Sequence, residues 1–315
     1  MTQSGGLDLF HNVHLCLSKD NKFEKVGFYT TDSRFFNTFI KQNSDFLSAG
    51  YETVKEWEII KEASTIKVNH SRLTEYEKQI GYPVLWNALM TDRRITWGRM
   101  FASAQDYRPR FSHDQMLAIL QVALQRIEKM FDRVNPDLVI TFACNTIGDY
   151  LSFLFAKSRD ISFLNLRPTR IKNYIFAGED VLEPSAGLEK TFEELLANGM
   201  DRKLEDEVID YLSMVKTSNS KYEGVVAPSS KPPINRLPLK RFFNVFGLLR
   251  TASNLITNEI NYIFGELSYD NSVAGSFKPF VSRHLVRPLR AWRIKNQFTD
   301  IYVRQDQLKE LNYAF

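Results

Sequence analysis

Apolar residues recur at three- and four-residue steps between His113 and Val134: Met116, Ile119, Leu120, Ala123, Leu124, Ile127 and Phe131. That spacing puts them on one stripe of an α-helix. Pro136 ends the pattern. Asp137-Leu-Val-Ile-Thr-Phe142 follows as a continuous apolar run, the signature of a parallel strand covered on both faces. The turn Ala143-Cys-Asn-Thr146 leads into a second helix over 147–157, with Gly148 near its start. Ile161–Leu166 reads as another strand, and Arg167-Pro-Thr-Arg170 lies just past its end. Strand, helix and strand in this order predict a βαβ unit and a parallel sheet.

The same pattern appears earlier in weaker form. Lys25–Thr31 is β-prone, and Asp32-Ser33 has the composition of a helix cap before residues 34–41. Trp57-Glu-Ile-Ile60 reads as a second strand, and residues 1–24 as an irregular lead-in. Residues 188–199 and 204–217 predict two charged surface helices separated by Gly199. Pro228, Pro232, Pro233 and Pro238 mark residues 225–244 as an exposed linker or loop. Beyond it, Val245, Leu248, Leu249, Ala252, Leu255, Ile256, Ile260, Ile263 and Phe264 share one side of a predicted helix over 245–267. The expected organisation is therefore an α/β domain over 25–224, the linker, and a helical basic segment over 245–315.

Composition narrows the class. The chain of 315 residues is 43% hydrophobic and 25% charged, a globular balance rather than a disordered one. With two cysteines, Cys16 and Cys144, and no CxxC, a disulfide framework and a Cys-rich zinc site are not expected, and a reducing compartment is. There is no long apolar run and no basic-then-apolar leader, so neither a membrane-spanning helix nor a secretory signal is expected. The net charge of +4 is uneven: residues 1–230 carry 28 basic against 31 acidic side chains, whereas residues 231–295 carry 11 against three. From Asn271 to Thr299 there is no acidic residue, and Phe277, Phe280 and Trp292 sit among six Lys or Arg. Nucleic acid, an anionic membrane face and an acidic protein surface compete for that block, with a solvated basic face as the plain alternative.

Ligands of open parallel sheets bind beyond the carboxyl ends of the strands. Three segments should converge there: Thr31-Asp32-Ser33-Arg34, Ala143-Cys-Asn145-Thr146 and Arg167-Pro-Thr-Arg170. Helix N-termini beside two arginines suit an anionic or polyhydroxyl ligand. The plainer reading is that Asn145 caps its helix and the arginines form surface pairs. Asp92, in Thr91-Asp92-Arg93-Arg94, would serve as a general base if it faced the cleft, and otherwise is part of a solvated Asp-Arg turn. His11-Asn-Val-His14 has a spacing found in metal sites but no third ligand cluster, so no metal is expected. Cys144 reads as a small buried residue. Neither a dinucleotide fingerprint nor a phosphate-binding loop motif is present.

Several of these motifs together resemble the N-terminal half of bacterial capsular or surface polysaccharide biosynthesis proteins, which are glycosyltransferase-like with a two-Rossmann-domain (GT-B) plan. The carrying residues are Lys25–Thr31 with Asp32, Tyr82-Pro-Val-Leu-Trp86 with Asp92-Arg93, Pro136–Phe142, Arg167-Pro-Thr-Arg170-Ile-Lys-Asn173 and the closing Asn312-Tyr-Ala-Phe315. The resemblance implies a Rossmann-like domain that serves the glycan acceptor, lipid-linked in many such systems. A nucleotide sugar would be the donor substrate, with no further cofactor. The donor-binding half would lie in a second domain or partner chain beyond this sequence. It implies a cytoplasmic protein at the inner face of the membrane. Asp92 or Asp32 would deprotonate the acceptor hydroxyl, and Arg34, Arg93, Asn145, Thr146, Arg167 and Arg170 would hold substrate. A non-catalytic glycan- or nucleotide-binding module is the first alternative. A nucleic-acid-binding protein acting through residues 231–295 is the second, with no recognisable motif behind it.

Overall fold

The computed structural model of the chain describes residues 6–20, 23–82, 84–97, 109–169, 171, 174–181, 185–218, 250, 252–257, 260, 269–270, 286, 289 and 293. Helix α1 spans Gly6–Leu17, where the sequence reading expected an irregular lead-in. Its buried Phe10 and half-buried Leu7 meet an aromatic cluster of Phe28, Phe36, Phe39, Phe46 and Trp57. His11 sets its ring edge-on to Phe39 and Phe46, and His14 does the same to Tyr51. Aromatic packing, which a scan for apolar spacing overlooks in histidine, thus accounts for the two histidines and holds the helix.

Strand β1 (Gly27–Thr30) is followed by α2 (Ser33–Gln42) and α3 (Asp45–Ser48), then β2 (Glu52–Lys55) and α4 (Glu56–Ala63). β1 and β2 pair in parallel, with Gly27 opposite Glu52 and Thr30 opposite Lys55. Trp57–Ile60 is therefore helical, not a strand. Trp57, Ile59, Ile60 and Ala63 are all buried, and the adjacent pair Ile59-Ile60 cannot share one face of a period-two strand. Helices α5 (His70–Ile80), α6 (Trp86–Thr91) and α7 (Arg93–Thr96) follow.

Helix α8 (His113–Val134) matches its expected span. A reciprocal capping box between Ser112 and Gln115 starts it, and Asn135, left-handed at φ 48°, ends it. Its apolar stripe packs with α9 (Ile147–Ser158) in the main core, where Leu124, Ile127, Leu151 and Phe155 are fully buried. Strand β3 (Leu138–Phe142) pairs in parallel with β4 (Ser162–Pro168), so the predicted βαβ unit forms. Arg167 and Pro168 lie within β4, and β5 (Ile175–Gly178) returns antiparallel to it.

The α/β class is thus as expected, but the parallel strands form two small sheets, β1-β2 and β3-β4-β5. Among the described residues no backbone hydrogen bond joins β1 to β3. A cleft of about 590 Å³ runs between them, lined by Val26–Tyr29, Pro136–Thr141, Phe10 and Met130. That gap explains why β3 is not covered on both faces: Leu138 is exposed and only Thr141 is buried.

Helices α10 (Ala186–Asn198) and α11 (Arg202–Ser218) flank Gly199, as expected, and none of their described residues is buried. The linker over 225–244 lies outside the described residues, as does most of 245–315. Tyr269, from that late segment, packs against both hydrophobic clusters. No helix among the described residues is long and apolar enough to cross a membrane.

Candidate functional site

The strands β1, β2 and β3 each run straight into a helix, so their carboxyl ends present three helix N-termini. One buried polar cluster ties these ends together. Tyr29, on β1, donates its hydroxyl to Glu56 Oε2 at 3.1 Å, directly after β2. Arg94 Nη2 donates to the same oxygen at 2.9 Å and to Asp92 Oδ2 at 2.6 Å. Arg94 Nε donates to Asp92 Oδ1 at 2.9 Å, completing a two-pronged clamp. At the head of α9, the Ile147 amide donates to Asp92 Oδ2 at 3.3 Å. Burial alone would favour a neutral guanidine, but Glu56 and Asp92 outweigh it and hold Arg94 charged, well above its ordinary value. The Tyr29 phenol is pushed far up by burial and by the Glu56 charge, so it stays a donor.

Asp92 also caps α7 by accepting from the Arg94 amide at 3.0 Å. Its carboxylate thus receives four donors on two oxygens, which fills its lone-pair directions. It is completely buried. The expected Asp-Arg turn at the surface is instead a structural centre: Asp92 has no position left for a substrate hydroxyl. The neighbour named with it, Arg93, is exposed, and Arg94 makes the pair.

Asp32 sits differently. It caps α2 through Oδ1, which accepts from the Arg34 and Phe35 amides at 3.0 Å each. Oδ2 has no hydrogen-bond partner among the described residues. The group is half-buried, and burial raises its pKa above the ordinary carboxylate value. The nearby Asp270 charge adds to the rise, while the amide bonds and Arg34 oppose it. Asp270 is fully buried and accepts from the Ser33 amide at 2.9 Å and from the Ser33 hydroxyl. Arg110 Nη1 reaches the Asp270 carbonyl at 3.4 Å. The head of α2 therefore already carries two carboxylates.

The third corner follows β3. Ala143 (φ 61°) and Cys144 (φ 41°) are consecutive left-handed residues without being glycine. Each such residue costs on the order of 1 kcal/mol or more. The turn buries Cys144, whose thiol is pushed far up by burial, and leaves Asn145 in solvent. Thr146, not Asn145, caps α9: its hydroxyl accepts from the Asp149 amide at 3.3 Å and donates to Asp149 Oδ2 at 2.7 Å. Gly148 is required here, because a Cβ would overlap the Tyr29 ring.

Arg34 and Arg167 are half-buried, and Arg167 Nη2 reaches the Asp180 carbonyl at 3.4 Å. Arg170 lies outside the described residues. The structure thus joins Asp92 directly to the β3–α9 corner and pairs Asp32 with its neighbour Arg34. Arg167 follows Leu166, whose carbonyl accepts from the Ala143 amide at 2.9 Å, and its charge acts on the Cys144 thiol at the β3–α9 corner. The cleft between β1 and β3 is lined by Tyr29 and Asp149 but by none of the residues the sequence proposed for substrate or catalysis, so this cleft and the expected rim are separate places. Sequence reasoning missed Tyr29, Glu56, Arg94 and Asp270. A helix-capping Asp with Arg two residues on was a readable signal for Arg94, whereas Glu56 and Asp270 arrive through tertiary contact alone. Comparison with known proteins finds no matching family model, no matching curated protein and no matching solved structure.

Proposed function

We propose that this chain is the acceptor-side, Rossmann-like half of a glycosyltransferase-like protein of capsule or surface polysaccharide biosynthesis. The motif resemblance supplies the family, and the state of Asp32 supplies the chemistry. At the head of α2 no described residue donates to Asp32 Oδ2, and burial makes this carboxylate a better base than an ordinary aspartate. In this reading Asp32 takes the proton of the acceptor hydroxyl, Arg34 orients the acceptor, and Asn145 and Arg167 offer further polar contacts along the rim. The nucleotide sugar is the donor substrate. The protein works in the cytoplasm at the inner membrane face, against a second domain or partner chain.

The saturated carboxylate of Asp92 favours the second reading, a module that binds glycan without catalysis, because it removes one of the two bases. One experiment separates the two. The full-length protein is assayed for sugar transfer from nucleotide sugars to glycan acceptors and, in parallel, for glycan binding. Asp32→Asn should lower transfer at least about 100-fold, the usual scale for a lost general base, with binding kept. Unchanged turnover in the variant removes Asp32 as the base. Binding without transfer in the parent protein selects the module, and neither binding nor transfer ends the reading.

A further inference from the structure

We propose that the apolar faces of α10 and α11 are the docking surface for the chain's own basic amphipathic stretch, residues 231–264. This goes beyond the glycan reading and does not depend on it. On α10, Leu188, Phe192 and Leu196 stand four residues apart on one face, and Phe192 and Leu196 are 62% and 71% exposed. On α11, Val208, Leu212 and Val215 form a second exposed stripe. Two adjacent helices that both leave their apolar stripes in water call for a covering partner.

Charge identifies the occupant. Residues 186–218 carry eight acidic and four basic side chains, a net of −4. Such a surface repels a second copy of itself and an anionic membrane alike. Residues 231–264 carry five basic and one acidic side chain, a net of +4. They also hold an apolar stripe of their own, and within it the helical residues Ile256 and Ile260 are 60% and 52% exposed. Connectivity favours an occupant from the same chain. α11 ends at Ser218, and Tyr269 and Asp270 are anchored on the α/β core, so the 50 residues between these points are tethered at both ends. A tether of that kind holds the stretch near α10 and α11 at an effective concentration on the order of millimolar.

The test uses the full chain and a zero-length carbodiimide cross-linker, with a mixture of isotopically light and heavy protein. Bonds from Lys231 or Lys240 to Glu193, Glu194, Glu205 or Asp210, formed within one isotopic species, are expected. Phe192→Glu with Leu196→Glu should reduce their yield about tenfold or more, as charge placed in an apolar contact does. Lys240→Glu with Arg241→Glu should weaken hydrogen-exchange protection of 245–264 without touching α10 or α11, which keeps the test readable if the first variant misfolds. Cross-links only between light and heavy chains would overturn the proposal in favour of a second copy. No cross-link at all, with the parent protein floating on anionic vesicles, would overturn it in favour of a membrane.

Discussion

Asp32 and Asp92 each head a helix at the carboxyl rim of the parallel strands, and each accepts amide hydrogen bonds there. Beyond that shared local role they diverge. Asp92 faces a guanidinium clamp and the head of a second helix, and its charge is fully compensated. Asp32 faces another carboxylate, Asp270, and no described residue donates to its Oδ2. The same capping motif therefore yields a structural anchor in one place and a carboxylate of raised pKa in the other. What decides between them is the charge that the tertiary fold delivers, a cation at Asp92 and an anion at Asp32. A residue type in a favourable local pattern is thus not yet a catalytic group.

The sharpest way to break this contrast is to remove the anchor. Asp92→Ala leaves Arg94 with Glu56 alone and takes the acceptor from the Ile147 amide. Breaking a buried ion pair from one side costs about 3–5 kcal/mol. Denaturant unfolding should show a loss of that size, with an unchanged slope. A loss below about 1 kcal/mol, the scale of a surface pair, would mean that the cluster is not the centre described above.

The next effect tests whether the three strand ends really meet. Gly148→Ala drives a methyl group into the Tyr29 ring, which is itself tied to Glu56. Overpacking of this kind costs about 1–3 kcal/mol. Adding Tyr29→Leu should recover part of that loss, since neighbours in contact do not behave additively. Additive losses in the double variant would separate β1 from α9 and dissolve the shared rim.

The contrast also shows where the sequence is readable. α8, β3, α9 and β4 follow from periodicity and a single proline, because a long amphipathic stripe and a buried apolar run leave few alternatives. α1 stays hidden because histidines supply its packing face, and α4 because two adjacent isoleucines mimic a short strand. The gap between β1 and β3 is a relation between sheets, which no local pattern encodes. At the rim, residue types near the strand ends locate Asp32, Arg34, Asp92 and Thr146. Their states depend on Glu56, 36 positions before Asp92, and on Asp270, 237 positions after Ser33. One-dimensional spacing carries no information on partners that distant.

The smallest effect sharpens the comparison most directly, because it reads the charge on Asp32 itself. In the folded chain burial and Asp270 make this carboxyl hold its proton more tightly than it does in the unfolded chain. From the ordinary carboxylate pKa of about 4 up to the raised folded value, the native state therefore binds more protons than the unfolded state. The contribution of Asp32 to stability should fall as pH rises through that window and stay level above it. Asp32→Asn removes the ionisation and keeps the cap, since Asn caps a helix about as well as Asp. The variant should match the parent near pH 3 and become slightly more stable than it by pH 7, with a flatter dependence between. Asp270→Asn should remove part of the same slope by deleting the neighbouring charge. Parent and Asp32→Asn curves that stay parallel across this range would mean that Asp32 is as well compensated as Asp92, and the distinction between anchor and base would disappear. A flatter, more stable and inactive Asp32→Asn protein would mark the strained carboxylate as one retained for chemistry at the expense of stability.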